Sequence, residues 1–162
     1  MPIPGTGEIS CNPFFVDPNK NDFCLTESSF CINAGDPNHV PEPNETDLAG
    51  KPRIIGGRID IGAYEFNHIP IADAGPGQIV YADPNGTAEV TLDGSASFDD
   101  DNDLLTYLWV WTIDNNSYDA NGVNPIIKLP AGQHTITLVV NDGMEDSEPN
   151  EVIITVVPPL EG

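Results

Sequence analysis

The chain has 162 residues, enough for one medium-sized domain or two small ones, and a hydrophobic content of 39% that allows a buried core. Its 26 acidic residues against 5 basic ones give a net charge of −21. Such a surface repels phosphate backbones and anionic lipid, which argues against binding to nucleic acids or membrane surfaces. It attracts divalent cations, although an acidic surface that only maintains solubility gives the same net charge.

Charge and cysteine content divide the chain unevenly. Residues 1–69 carry 10 acidic and 4 basic side chains, whereas residues 70–162 carry 16 and 1. The three cysteines, Cys11, Cys24 and Cys31, all lie in the first part and allow either one disulfide with a free thiol or three reduced thiols. No apolar run is long enough to span a membrane, and the first residues lack the features of a signal peptide. We therefore expect a piece of a longer secreted protein.

From residue 78 onward, short apolar runs are separated by turn signals, which is typical of antiparallel strands. The predicted strands span residues 78–82, 87–92, 105–113, 125–129, 134–141 and 151–157. In the best of them, Tyr107, Trp109 and Trp111 share one face. These aromatic side chains form either part of the core or a platform for stacking sugars. Six or seven short strands without a helix predict an antiparallel β-sandwich, with a small closed barrel as the alternative.

Ordered motifs in this part of the chain are distinctive. They are ADAGP at 72–76, VTLDGSAS at 90–97, the acidic run at 99–103, LTYLW at 105–109, LPAGQHTI at 129–136 and VVNDG at 139–143. Their order and spacing resemble the polycystic-kidney-disease (PKD) and receptor-egg-jelly modules. The resemblance implies an immunoglobulin-like β-sandwich over residues 71–158, preceded by a linker at 67–70 and followed by the start of another at 159–162.

The first part of the chain has only short β-prone pieces at 14–16, 54–55 and 59–64. Its motifs are FFVDP at 14–18, DFCLT at 22–26, SFCINAGD at 29–36, TDLAGKPR at 46–53 and DIGAYE at 60–65. They resemble the C-terminal end of bacterial secreted right-handed parallel β-helix proteins. The resemblance implies that residues 1–66 form a loop-rich cap that closes such a solenoid, whose last coil otherwise exposes an apolar face.

The acidic run at 99–103 is the sharpest candidate site. Its side chains repel one another, a hard dication relieves that repulsion, and alternation along an extended loop brings Asp99, Asp101 and Asp103 to one side. The run lacks the glycine and glutamate of an EF-hand loop. Resemblance to calcium-binding PKD modules implies a calcium ligand set. This set is Asp73, Asp99, Asp101, Asp103 and Asp142. The alternative is a solvated acidic turn without metal, and Asp93 is interpreted as a turn residue.

No convincing catalytic set is found, because the three histidines are isolated and no nucleophile motif occurs. We therefore expect a non-enzymatic accessory region of an extracellular or cell-surface protein: a calcium-stabilised spacer or adhesion module. Polysaccharide and cell-surface proteins are its expected partners besides calcium. The alternative is a carbohydrate-binding module attached to a polysaccharide-active β-helix enzyme, a lyase or hydrolase.

Overall fold

The computed structural model describes residues 12–159, and the chain divides into two compact units between His68 and Ile69. Within the described residues the secondary structure consists of β-strands and one 3-10 turn, so the all-β prediction is confirmed. No helix in this part of the chain is long and apolar enough to cross a membrane. Cys11 lies outside the described residues, and the thiols of Cys24 and Cys31 are both free.

The N-terminal unit contains little regular structure among its described residues. Strand β1 (Phe15–Asp17) pairs antiparallel with β2 (Asp22–Leu25), and the 3-10 turn Pro18–Lys20 connects them. Of the predicted β-prone pieces, the first coincides with β1. The second contributes a single bridge between Ile55 and Arg58, and the third is irregular, with bends at 61–64.

Buried carboxylates hold the loops of the N-terminal unit together. Asp60 accepts backbone N–H groups from Asn33 at 2.6 Å and from Phe66 at 2.7 Å. Glu65 accepts the backbone N–H of Asp60, and Asp47 accepts that of Glu65, both at 3.0 Å. We call Asp47, Asp60 and Glu65 the carboxylate network. All three are buried. Their hydrogen bonds to backbone N–H groups therefore do for these loops what strand-to-strand hydrogen bonds do in a sheet.

Glu65 makes this unit sensitive to pH. Burial raises the pKa of Glu65 from 4.5 to about 7; the charges of Asp60 and Asp47 add to the increase, and Arg53, which pairs with Glu65, opposes it. The folded pKa exceeds the unfolded one, so this contribution to stability is complete below about pH 4.5 and is lost as the pH rises to about 7. We therefore expect the carboxyl carbon of Glu65 to titrate near neutral pH in a ¹³C NMR experiment. A titration midpoint near the ordinary glutamate pKa of 4.5 contradicts this prediction. Glu65→Gln should remove the contribution of this group to the pH dependence of stability.

Through residue 159, the C-terminal unit contains seven strands. They are β3 (Gln78–Tyr81), β4 (Thr87–Thr91), β5 (Thr106–Ile113), β6 (Asn116–Asn121), β7 (Ile126–Pro130), β8 (Gly132–Asn141) and β9 (Asn150–Val157). Five form one sheet in the order β3-β9-β8-β5-β6, in which only β3 and β9 pair in parallel. Strands β4 and β7 form a second, antiparallel sheet.

Both sheets of the C-terminal unit contribute to one hydrophobic core. Val90 on β4 and Leu129 on β7 belong to the same buried cluster as Trp109 on β5, Ile136 on β8 and Ile154 on β9. The alternation of buried and exposed residues along these strands explains this arrangement, because every second side chain points to the same face. The indole N–H of Trp109 donates to the carbonyl of Gly122 at 2.9 Å, so the largest buried side chain is also hydrogen-bonded.

Six of the seven strands correspond to the predicted ones within one or two residues, and β6 was not predicted. Its sequence is polar, with five of its six residues exposed, so hydrophobic periodicity gives no signal. The signal lies in the turn before it: Asp114 and Asn115 have φ values of 49° and 65°, both positive as in a type I′ hairpin turn. Asp-Asn at this position tolerates that conformation and sets the pairing of β5 with β6.

Candidate metal centre

The loop between β4 and β5 curls around the carboxylate of Asp99. Oδ1 of Asp99 accepts the backbone N–H groups of Asp101 at 2.9 Å and Asp103 at 3.2 Å. Asn102 between them adopts a left-handed conformation with φ of 62°, which asparagine tolerates better than most residues. A tight turn, not the expected alternation along an extended loop, therefore directs these side chains.

Three of the five predicted ligands come together in this turn. Carboxylate oxygens of Asp99, Asp101 and Asp103 all lie within 4.8 Å of one another. Asp99 and Asp101 are buried, with 9% and 8% of their surface exposed. We call these three residues the acidic cluster.

Asp142 lies beside the acidic cluster, and Asp73 stands apart from it. Asp142 follows β8, whose last residue pairs with Thr106 at the start of β5, and Oδ1 of Asp142 accepts the N–H groups of Met144 and Glu145. Asp73 is exposed, and its carboxylate accepts the backbone N–H of Gly75 at 2.8 Å. The structure thus places Asp73 outside the group of converging oxygens.

Electrostatics within the acidic cluster are unfavourable without a cation. Burial raises the pKa of Asp103, and so do the negative charges of Asp99, Asp101 and Asp142. Oδ2 of Asp99 and Oδ2 of Asp103 are buried and have no hydrogen-bond partner in the described structure. A buried acceptor without a partner costs free energy, and more when it is charged.

These orphaned oxygens test whether the residues fit a metal ion. Hard cations such as calcium bind carboxylate oxygens and take six to eight oxygen ligands. The three carboxylates of the acidic cluster offer donors of this kind, Asp142 adds a nearby negative charge, and the two unpartnered oxygens belong to the residues that converge. The donor set fits a hard divalent cation.

Asp93 is a turn residue, as the sequence indicates. Its carboxylate accepts the backbone N–H of Ser95 and the side-chain amide of Asn124, and hydrogen bonds from these two residues lower its pKa. Its oxygens are thereby used in fixing the loop.

The aromatic side chains of β5 do not form an open platform. Trp109 is fully buried and Trp111 is 9% exposed, whereas Tyr118 on β6 is 44% exposed and stacks on Trp111 with ring centroids 6.0 Å apart. The inward face of β5 is therefore core, and Tyr118 is the exposed member of the Trp111–Tyr118 stack.

A groove beside the acidic cluster was not predicted from the sequence. Its volume is about 410 Å³, and Asp99 and Asp103 line it together with Phe98, Leu104 and Val123. In the sequence, only the apolar residues directly flanking the acidic run indicate this groove. Val123 lines it from a loop that is distant in sequence.

Comparisons with known proteins give little guidance. No protein-family model matches the chain, and no curated protein matches it. Among solved structures, the chain is similar to a nucleoside hydrolase-related hypothetical protein from Saccharophagus degradans that is associated with carbohydrate metabolism. The identity is 25%, over 60% of this chain and 28% of that one, with a TM-score of 0.40. A similarity of this size identifies neither a fold nor a function.

Proposed function

We propose that the C-terminal unit is a calcium-stabilised, immunoglobulin-like β-sandwich of the PKD type. In this proposal the chain is a non-catalytic accessory region of a secreted or cell-surface modular protein, with the unit acting as a spacer or adhesion module. The observation that carries the proposal is the pair of buried, unpartnered carboxylate oxygens on Asp99 and Asp103. Two sheets with a shared core support the sandwich assignment.

Calcium would act here on stability. The acidic cluster lies in the loop before β5, and the charge of Asp142 acts on it from the loop after β8, so an ion held by the cluster would offset the repulsion between the two loops. Extracellular calcium modules have dissociation constants of roughly 10⁻⁴ to 10⁻³ M. At a free concentration ten times that constant, binding adds about 1.4 kcal/mol to the free energy of unfolding.

For the N-terminal unit we propose the end of a right-handed parallel β-helix. Its strands are short, and hydrogen bonds to buried carboxylates hold its loops in place. Such loops cover the open strand edge of a solenoid without presenting a new unpaired edge, which supports a role as a closing segment.

Scanning calorimetry of the full chain in calcium and in EDTA tests the calcium site. We expect calcium to raise the melting temperature of the C-terminal unit by about 5–10 °C, because about 1 kcal/mol shifts a domain of this size by about 4–8 °C. Asp103→Asn should abolish most of this shift while raising the melting temperature in EDTA, since it removes one repelling charge.

Asp100→Asn is the matched control. It removes the same charge from the same loop, but Asp100 is exposed and outside the acidic cluster, so the calcium shift should persist. Equal melting temperatures of the unsubstituted chain in calcium and in EDTA, with no heat of calcium binding by titration calorimetry, would overturn the proposal.

A further inference from the structure

The groove beside the acidic cluster combines two kinds of surface. Asp99 and Asp103 belong both to the acidic cluster and to the lining of the groove, so the candidate cation site and the groove share two residues. The lining also includes two exposed apolar side chains: 89% of Leu104 and 48% of Phe98 are accessible. A contiguous exposed apolar patch with a polar rim is typical of a ligand-binding groove.

We propose that this groove binds a neutral saccharide in a calcium-dependent manner. The inference rests on the proposed calcium site and names the ligand that the same site takes. Sugar hydroxyl oxygens would replace water among the ion's oxygen ligands, and Phe98 and Leu104 would pack against the C–H face of the sugar ring. Tyr107 and Asn102 also line the groove and add an aromatic edge and an amide for hydrogen bonds.

Size and charge favour this ligand class over others. A volume of about 410 Å³ lies in the range of small-molecule sites, roughly 300–1,000 Å³. Residues 70–162 carry 16 acidic side chains, and Lys128 is their only lysine or arginine. This field repels carboxylates, phosphates and anionic lipid surfaces. Uncharged hydroxyl groups supply oxygen ligands for a cation, and the negative field of the protein does not repel them.

Amide NMR spectra of the full chain test the inference. The probes are the methyl glycosides of glucose, galactose, mannose, xylose and N-acetylglucosamine, each titrated in excess calcium and again in EDTA. For at least one glycoside we expect saturable shifts at the amides of Asn102, Leu104 and Val123. Affinity should fall at least about tenfold in EDTA, a change of about 1.4 kcal/mol.

A surface substitution separates the groove from the calcium site. Leu104→Ser removes part of the apolar wall at a position with no core contact, so it should weaken saccharide binding about fivefold or more, which is about 1 kcal/mol, and leave calcium affinity unchanged. Ile79→Ser, at a position on β3 that is 72% exposed and does not line the groove, is the control and should change neither.

Different results contradict the saccharide inference and the proposed calcium site. If calcium binds but none of the five glycosides shifts the groove amides, the saccharide inference is overturned and the calcium site stands. Equal saccharide-induced amide shifts in calcium and in EDTA also overturn the inference. So does binding of an N-acetylated glutamate peptide in place of the sugars, because the acidic surface should repel a negatively charged ligand. If calcium itself does not bind, the proposed function fails first.

Discussion

Trp109→Ala is expected to destabilise the C-terminal unit by about 3–5 kcal/mol, much of the stability of a domain of this size. The side chain is fully buried between residues from both sheets, so truncation leaves a large cavity. It also leaves the carbonyl of Gly122 without its indole donor. Urea unfolding followed by circular dichroism measures the change as a lower midpoint at unchanged slope.

Leu108→Ala is the matched control for this substitution. Leu108 is the adjacent residue on β5 but points to the other face of the sheet and is 43% exposed, so we expect a loss below about 1 kcal/mol. Trp109→Phe should fall between the two, because it keeps most of the buried area and loses the hydrogen bond. A similar cost at positions 108 and 109 would contradict the assignment of the inward face.

Asp60→Ala is expected to destabilise the N-terminal unit by about 2–6 kcal/mol. Asp60 is 2% exposed, and its two oxygens accept N–H groups from Asn33, 27 residues away, and from Phe66. Alanine leaves both part-buried donors without this partner, at about 1–3 kcal/mol each. Labelling of Cys31 measures the effect, because this thiol is fully buried and reacts only after local opening.

Mass spectrometry of the labelled Cys31 peptide, in the full chain, should show faster modification in Asp60→Ala than in the unsubstituted protein. Asp36→Ala is the control: Asp36 is exposed, and its side chain bonds only the nearby Asn38 among the described hydrogen bonds. Unchanged Cys31 protection in Asp60→Ala would mean that the carboxylate network does not hold this unit together.

The strands of the C-terminal unit were predictable because their buried and exposed residues alternate. Val90 and Trp109 identify their strands by local pattern alone. Strand β6 has no such pattern, and only its Asp-Asn turn indicates it. Local sequence thus predicts elements that bury one face and misses an edge strand that buries almost nothing.

The candidate site was predictable in composition and less so in geometry. An acidic run indicates a cation, but whether Asp73 joins it depends on how Asp73 bonds Gly75, which spacing does not reveal. The carboxylate network and the groove depend on residues far apart in sequence, such as Asn33 with Asp60 and Leu104 with Val123. The burial of a single acidic residue in a loop, such as Asp60, cannot be predicted from sequence periodicity.

The parallel pairing of β3 with β9 has a mechanical consequence. Four residue pairs, from Gln78 with Ile154 to Tyr81 with Val157, join the first and last strands of the C-terminal unit. A force that pulls the chain before β3 away from the chain after β9 acts along these strands in opposite directions. It therefore loads their hydrogen bonds in shear, all at once, and not one after another as in peeling. This pairing therefore resists tension applied at the two ends of the unit.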